Sequence, residues 1–173
     1  MAKTVTRTIQ TGGEKYSLET RLGRLSLVFS LRGLRRLLIY PDADNISTGG
    51  PEPPHVWQAE VVQALRNYFA GRAHNFDHLK LDLKGTPFQL RVWAALRMIP
   101  FGTTVSYGEL GRNLGLPKGA RAVGGALRAN PLPIIIPCHR VVSADGSLGG
   151  FSAGLQVKHW LLEHEQGFKD AAI

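Results

Sequence analysis

Residues 134–142 read Ile-Ile-Ile-Pro-Cys-His-Arg-Val-Val and contain the chain's only cysteine, Cys138. Three apolar β-branched residues in succession predict a buried strand, and Pro137 ends its pairing because proline has no backbone N–H. The cysteine follows where the chain returns to polar residues. The pattern therefore predicts one thiol at the rim of a hydrophobic core.

The neighbours of Cys138 bear on whether this thiol is reactive. A lone cysteine in a soluble protein commonly behaves as a small buried hydrophobe. His139 and Arg140 both favour a thiolate, and Glu165 lies on a predicted helix that could return to orient the histidine. From these residues alone, the inert and the reactive interpretations both stay open.

Composition limits the classes of protein and site. The chain has 173 residues, 43% of them hydrophobic, which suffices for one domain or two small ones. A single cysteine excludes an internal disulfide and a cysteine-rich zinc site, and this fits an intracellular, reducing compartment. The histidines show no ligand spacing, so no metal or cofactor is expected. Residues 1–14 are polar, and we expect neither a signal peptide nor a membrane span there.

The net charge of +8 predicts a polyanionic partner, most often nucleic acid. Positive charge is concentrated in residues 101–141. The basic side chains there are Arg112, Lys118, Arg121, Arg128 and Arg140, and the acidic one is Glu109. A solvated basic surface without a partner is the alternative.

Residues 1–85 are predicted to form a small α+β domain. Alternating apolar residues from Tyr16 to Tyr40 predict a hairpin with one buried face. Residues 42–54 are rich in Pro, Gly, Asp and Ser and predict a loop. Apolar residues at steps of four over 57–69 predict an amphipathic helix, and alternating leucines over 79–83 predict a further short strand.

Residues 86–173 are predicted to be mainly helical. Two capping boxes mark helix starts, Thr86 with Gln89 and Ser106 with Glu109. The helix after the second box ends at Gly115, and a third helix is predicted over residues 118–129. Two short helices joined by a tight turn predict a helix-turn-helix.

The third predicted helix has an unusually small surface, formed by Ala120, Gly124, Gly125 and Ala129. Each mid-helix glycine costs about 1 kcal/mol relative to alanine. Close approach of another backbone or tight packing against a neighbouring helix would each explain this cost. Arg121 and Arg128, near the helix ends, could reach phosphates.

A glycine-rich loop over residues 143–154 leads into the last predicted helix. Glycine admits close backbone approach, so the loop could cover a ligand or be a plain turn. The helix starts near Leu155, carries Glu165 and is predicted to end before Gly167. Spacing alone does not distinguish a surface role from a site role for Glu165.

Taken together, these motifs resemble the O6-alkylguanine-DNA alkyltransferase family, also called methylated-DNA–protein-cysteine methyltransferases. The similarity runs motif by motif from Gly85 to Glu165, and residues 1–85 match only in character. The matching positions include Tyr107, Arg121 to Gly124, Asn130, Pro137 to Val141, Gly149 to Phe151, Lys158 and Glu165.

The resemblance implies direct-reversal DNA repair. A member flips an O6-alkylguanine out of duplex DNA and transfers the alkyl group irreversibly to the cysteine, here Cys138. No second thiol is present to resolve the thioether, so each molecule would act once. The implied partner is alkylated double-stranded DNA, bound through its minor groove without a fixed sequence. For the oligomeric state, which the sequence leaves unsettled, a monomer is the default expectation.

The family also implies roles for five catalytic residues. His139 would deprotonate Cys138 through a water, and Glu165 would fix the imidazole. Tyr107 would donate a proton toward the base, and Asn130 would brace the turn that carries the cysteine.

Further positions are implied to contact DNA and the flipped base. Arg121 would fill the gap in the base stack. The predicted DNA contacts are Arg121, Ala122, Gly124, Gly125, Arg128 and Arg140. The predicted guanine and alkyl contacts are the main chain of Cys138 and Val141, together with Ser152, Phe151, Leu127 and Pro133. Phe151 stands where many members have tyrosine, which keeps the ring and removes a hydroxyl.

Three rival functions fit parts of the sequence. A lesion binder without catalysis typically lacks the cysteine, so Cys138 argues against it. A helix-turn-helix regulator needs base-reading side chains, which the third helix largely lacks. A cysteine hydrolase usually separates its cysteine and histidine widely, whereas Cys138 and His139 are adjacent.

Overall fold

The computed structural model describes residues 14–41, 55–72 and 76–171. The chain divides into two compact units, Met1–Leu83 and Lys84–Ile173. The predicted loop over 42–54 and nearly all of the polar N-terminal segment lie outside the described residues. Of the helices that the structure describes, none is long and apolar enough to cross a membrane.

The first unit contains a three-stranded antiparallel sheet. Its strands are β1 (Glu14–Thr20), β2 (Gly23–Ser30) and β3 (Gly33–Tyr40), paired in chain order. The predicted hairpin was therefore incomplete, because β1 adds a third strand. The turn between β1 and β2 is closed by the side chain of Thr20, which accepts a bond from Leu22 N and donates to Gly23 O. Such a turn lacks the usual Asn-Gly signal.

One helix contacts this sheet. Helix α1 (Val56–Phe69) contacts β1 and β3, and the rings of Trp57 and Phe29 meet edge to face at 5.5 Å. The predicted strand over 79–83 is wrong. It makes one isolated bridge, between Leu34 and Leu81.

The second unit is mainly helical. Its helices are α2 (Pro87–Arg97), α3 (Tyr107–Asn113), α4 (Ala120–Arg128) and α5 (Leu155–Ala171), and its two-stranded parallel sheet pairs β4 (Val105–Ser106) with β5 (Val141–Val142). Both predicted capping boxes are present, before α2 and α3. Helices α3 and α4 contact each other and form the predicted helix-turn-helix. The predicted α+β fold class is confirmed.

Local features fix the ends and packing of these helices. Gly115 follows α3 with a φ of 76°, a left-handed conformation that glycine adopts without strain. The Trp93 indole donates to the Ala126 carbonyl at 2.9 Å and joins α2 to α4. The predicted end of α5 before Gly167 is wrong, since Gly167 lacks a positive φ and the helix continues to Ala171.

The run Ile134–Ile136 is buried but is not a strand. It forms a turn in which Ile134 has a φ of 75°, a strained value for a β-branched residue. Asn130 supplies the bonds that a sheet would have given: its Oδ1 accepts from Leu132 N at 3.0 Å, and its Nδ2 donates to Ile136 O at 2.8 Å. The strand prediction is wrong because the Asn130 side chain and a local backbone bond from Ile136 N to Leu132 O, not a neighbouring strand, satisfy this backbone.

Candidate active site

Cys138 follows this turn directly and begins a short 3-10 helix, Cys138–Arg140. Its backbone N–H donates to Ile136 O at 2.7 Å, and its side chain is almost completely buried. Asn130 Nδ2 lies 3.1 Å from the sulfur and donates toward it. The residue that holds the turn therefore also positions the thiol.

A buried histidine and carboxylate lie next in the chain and on α5. His139 Nε2 is 2.7 Å from Glu165 Oε1, and both side chains are fully buried. A carboxylate accepts, so Nε2 carries the hydrogen and Nδ1 keeps its lone pair. Within the described residues, Nδ1 makes no hydrogen bond. This nitrogen is therefore arranged to accept a proton.

Several hydrogen bonds converge on the Glu165 carboxylate. Besides His139, Arg140 donates from Nε at 2.8 Å and from Nη2 at 3.0 Å, and the Gly102 N–H donates at 2.9 Å. Burial by itself raises the pKa of Glu165, but the bonds and charges of His139 and Arg140 outweigh it and hold the pKa well below 4.5. Glu165 is therefore ionised.

Arg140, one of the predicted DNA contacts, is buried. Its side chain is 4% exposed, and its third nitrogen donates to Ile99 O at 2.6 Å. Because the whole guanidinium is turned toward Glu165 and this carbonyl, Arg140 stabilises the interior of the site. Contact of Arg140 with DNA stays a prediction, and this geometry does not favour it.

The thiol is protonated at neutral pH. Burial raises the pKa of Cys138 to about 11, although the Asn130 hydrogen bond and the Lys158 charge partly oppose it. His139 favours the thiolate through its backbone N–H, but burial outweighs this contribution. Burial lowers the pKa of His139, so the imidazole is neutral, and the Arg140 charge is matched by Glu165.

Tyr107, the first residue of α3, faces the same region. Burial raises the pKa of its phenol, a main-chain hydrogen bond with Gly150 partly opposes this, and Cys138 adds to it. Gly149 lies against the ring, because a Cβ added there would be 2.9 Å from the hydroxyl oxygen. The phenol keeps its proton and is available as a donor.

The predicted DNA contacts on α4 lie at the surface. Arg121, Ala122, Gly125 and Arg128 are exposed and Gly124 is half-buried. A Cβ added at Gly125 would meet no described atom within 4 Å, and one added at Gly124 would come no closer than 3.9 Å, to Tyr107. Tight packing within the described chain therefore does not explain these glycines.

The predicted guanine and alkyl contacts are divided between the interior and the surface. Val141, Leu127 and Pro133 are buried, Phe151 is half-buried and Ser152 is exposed. Phe151 and Ser152 belong to the glycine-rich loop, whose main chain at Gly149 and Gly150 contacts Tyr107. The loop therefore lies beside the thiol region.

Lys158, for which the sequence predicts no role, is fully buried on α5. Its Nζ donates to the carbonyl oxygens of Val141 at 2.6 Å and of Leu148. Helical spacing could have predicted that Lys158 is buried, because it lies three residues before Leu161 and seven before Glu165, on the same buried face of the helix.

Comparisons with known proteins agree with this geometry. Residues 15–83 match the family model "6-O-methylguanine DNA methyltransferase, ribonuclease-like domain", and residues 87–167 match its "DNA binding domain". A methylated-DNA–protein-cysteine methyltransferase of Mycolicibacterium paratuberculosis is 47% identical over 73% of this chain and 75% of that protein. A DNA base-flipping protein of Thermus thermophilus is 46% identical over 86% of this chain and 97% of that protein.

Solved structures extend the similarity to both units. The Mycobacterium tuberculosis OGT in complex with DNA has a TM-score of 0.76 at 41% identity and covers 88% of this chain and 92% of its own. The O6-methylguanine-DNA methyltransferase of Pyrococcus kodakaraensis has a TM-score of 0.67 at 27% identity and covers 86% and 97%. The resemblance found in the sequence is thus confirmed, and this chain belongs to the 6-O-methylguanine DNA methyltransferase family.

Proposed function

We propose that this protein repairs O6-alkylated guanine in duplex DNA by transferring the alkyl group to Cys138. The observation that carries the proposal is the arrangement of three side chains: a buried thiol, the adjacent neutral His139 with Nδ1 unbonded among the described residues, and Glu165 bonded to Nε2. The named activities of the similar proteins support it.

The proposed chemistry is an in-line displacement. The Cys138 proton passes through a water to Nδ1 of His139, the sulfur forms a bond to the alkyl carbon, and the bond from that carbon to O6 breaks. The bonding electrons stay with the guanine, which Tyr107 neutralises by donating a proton. The proton held by His139 then returns through water to the Tyr107 phenolate, so the net exchange is one thiol proton for one alkyl group, and guanine leaves with a proton.

The pKa of Cys138 decides when the nucleophile forms. A pKa of about 11 leaves few thiolates at neutral pH, so the free protein resists adventitious oxidation and alkylation. Proton transfer to His139 must therefore accompany the reaction. Glu165 supports this step because its charge stabilises the imidazolium that forms.

The DNA side of the proposal rests on α4. Its exposed Arg121 fills the space of the everted nucleotide, and the small surface of Ala122, Gly124 and Gly125 enters the minor groove. Arg128 contacts phosphate. Phe151 packs against the flipped base, Ser152 and the main chain of Val141 recognise it, and Leu127 and Pro133 border the alkyl group. We propose that the protein acts as a monomer, without cofactor, in the cytoplasm or nucleoid.

Mass spectrometry tests the reaction directly. Incubation with a duplex containing O6-methylguanine should add about 14 Da to the peptide with Cys138, the mass gained when S–H becomes S–CH3. Titration should stop at one methyl group per chain, because the chain has one cysteine. Sustained turnover, or no gain in mass with excess lesion, would contradict the proposal.

The matched control separates repair from lesion binding. Cys138→Ser should abolish the gain in mass while DNA affinity stays close to that of the unsubstituted chain, since the exposed α4 side chains are unchanged. If the unsubstituted chain bound the lesion duplex tightly but left it methylated, the non-catalytic lesion binder would be the better description.

A further inference from the structure

A buried hydrogen bond joins α2 to the end of α4, and the proposed reaction makes no use of it. The indole Nε1 of Trp93 donates to the carbonyl oxygen of Ala126 at 2.9 Å. Both residues are almost completely buried. Because a buried carbonyl without a donor is costly, an apolar side chain of the same size would not replace Trp93 here.

The Ala126 carbonyl needs this donor because α4 ends just beyond it. In a continuing α-helix the carbonyl would accept from the N–H four residues later, which belongs to Asn130. That N–H donates instead to the Leu127 carbonyl at 3.1 Å. The last carbonyls of a helix depend on partners from elsewhere, and Trp93 supplies one. The indole therefore stabilises the geometry in which the chain leaves α4 at Asn130.

Asn130 is also the residue that holds the thiol. Its side chain accepts from Leu132 N at 3.0 Å and donates to Ile136 O at 2.8 Å and to the Cys138 sulfur at 3.1 Å. A side chain this short cannot keep three such bonds if its backbone moves, because hydrogen bonds weaken steeply with distance and angle. The Trp93 bond, made one helical turn before Asn130, therefore acts on the position of the sulfur.

The ring of Trp93 is held at a second point, the backbone of Gly85. A Cβ added at Gly85 would lie 2.8 Å from the ring atoms Cζ3 and Cη2, closer than side chains approach one another in proteins. Glycine therefore permits this contact, which fixes the benzene edge of the indole. With its N–H bonded and its far edge against backbone, the ring has little freedom to turn away from Ala126.

We propose that Trp93 is a positioning residue for the alkyl transfer. Its indole N–H fixes the end of α4, and with it the place of Asn130 and of the Cys138 sulfur relative to the exposed face of the same helix. Because that face is the one proposed to meet DNA, the bond sets how far the flipped base lies from the thiol. The inference rests on the proposed function for its part in transfer, whereas the effect of Trp93 on the turn that carries Cys138 is independent of DNA.

Three variants separate the hydrogen bond from packing. Trp93→Phe removes the indole N–H and keeps an aromatic ring. Trp57→Phe makes the same change in the first unit, where the indole contacts Phe29, and serves as the matched control. Leu96→Val shortens another fully buried side chain of α2 and tests the effect of packing alone.

Amide hydrogen exchange measures the turn without DNA. Trp93→Phe should speed exchange of the Leu132 and Cys138 N–H groups about fivefold more than that of amides in α5, the factor expected for one hydrogen bond. Trp57→Phe and Leu96→Val should not separate these two amides from those of α5. A uniform change across the second unit in Trp93→Phe would mean that the residue only packs, and would overturn the proposal, whether or not the protein repairs DNA.

Transfer is then measured in single turnover, with protein in excess over an O6-methylguanine duplex. Trp93→Phe should lower the rate constant at saturation about fivefold, while its Kd for the duplex stays within about twofold of the unsubstituted value. The two other variants should keep the unsubstituted rate constant. An unchanged rate constant in Trp93→Phe, or a loss confined to affinity, contradicts the positioning role. If the unsubstituted chain transfers no alkyl group, the proposed function fails, and the exchange result alone decides whether Trp93 holds the turn.

A measurement on the unsubstituted chain applies if Trp93→Phe does not fold. Exchange of the Trp93 indole N–H is compared with that of the Leu132 and Cys138 amides at low concentrations of denaturant. If the indole holds the turn, its bond cannot open while the turn stays closed, so its protection factor should equal or exceed theirs. An indole N–H that exchanges faster, through an opening that leaves both amides protected, is the result that refutes the proposal.

Discussion

Glu165 is the residue on which the charges of the site depend. It is fully buried and accepts from His139, from Arg140 twice and from Gly102. Each donor satisfies a lone pair that burial would otherwise leave unpaired. Removing the carboxylate charge would leave a buried guanidinium without its counter-ion, which is more costly than never having had the pair.

Glu165→Gln should therefore destabilise the fold by about 3–5 kcal/mol at neutral pH, the usual cost of breaking a buried ion pair. Urea unfolding measures this. Glu163 is the matched control, because it lies on the same helix, 67% exposed, and pairs with the exposed His159. Glu163→Gln should change stability by less than about 0.5 kcal/mol.

The same variant should change the pH dependence of stability. The folded pKa of Glu165 lies below its ordinary 4.5, so its contribution is present above that pH and lost as the pH falls below it. The pKa of His139 in the folded chain lies below its ordinary 6.5, so the buried imidazole binds a proton less readily than it does in the unfolded chain. The folded state therefore also loses stability through His139 as the pH falls. The unsubstituted protein should lose stability on acidification, and Glu165→Gln should lose less. Parallel curves would contradict this assignment.

At the scale of elements, features that depend on neighbouring residues could be predicted from the sequence, whereas pairings between distant parts of the chain could not. The capping boxes of α2 and α3 lie within four residues of sequence, and both form. The pairing of Val105 with Val141 joins residues far apart in the chain, and nothing local indicates it. The Ile134–Ile136 run was misread because a buried strand and a buried turn have the same apolar composition.

The candidate site could likewise be predicted from the sequence only in part. The contact of His139 with Glu165 followed from the family motif, and the structure brings these two side chains together. Arg140 and Lys158 have the composition of surface residues, yet both are buried. Their burial depends on acceptors supplied by other elements, Glu165 for the first and the carbonyls of Val141 and Leu148 for the second.

Helix α4 offers a test in which stability and binding change in opposite directions. Gly125→Ala should stabilise the fold by about 1 kcal/mol, because alanine is the better helix former and the added Cβ meets no described atom within 4 Å. It should weaken binding to duplex DNA, since the methyl group would occupy the surface that we propose enters the groove. Thermal unfolding and duplex affinity measure the two effects.

Gly167→Ala on α5 is the matched control for this helix effect. A Cβ there also meets no described atom within 4 Å. It should raise stability by a similar amount and leave DNA affinity unchanged. If Gly125→Ala bound DNA as tightly as Gly167→Ala, the small surface of α4 would not be the DNA-facing one.

For the whole molecule, net charge and charge placement make different predictions. The chain carries +8, which by itself attracts any polyanion. If only the overall positive charge attracted DNA, every exposed arginine would contribute equally to binding. A direct phosphate contact, in contrast, depends on the position of one arginine. Arg128, in the last turn of α4, and Arg72, in the first unit, are both exposed, and replacing either lowers the net charge by one.

Arg128→Ala should therefore reduce the salt dependence of binding to undamaged duplex DNA. Each phosphate contact releases about 0.9 counterions, so the slope of log affinity against log salt should become shallower by about 0.9. Arg72→Ala should keep the original slope, because a residue that only adds to the net charge releases no bound counterion. Affinities measured across a salt series test this, and equal slopes for the two variants would mean that the overall positive field, rather than the end of α4, binds the backbone.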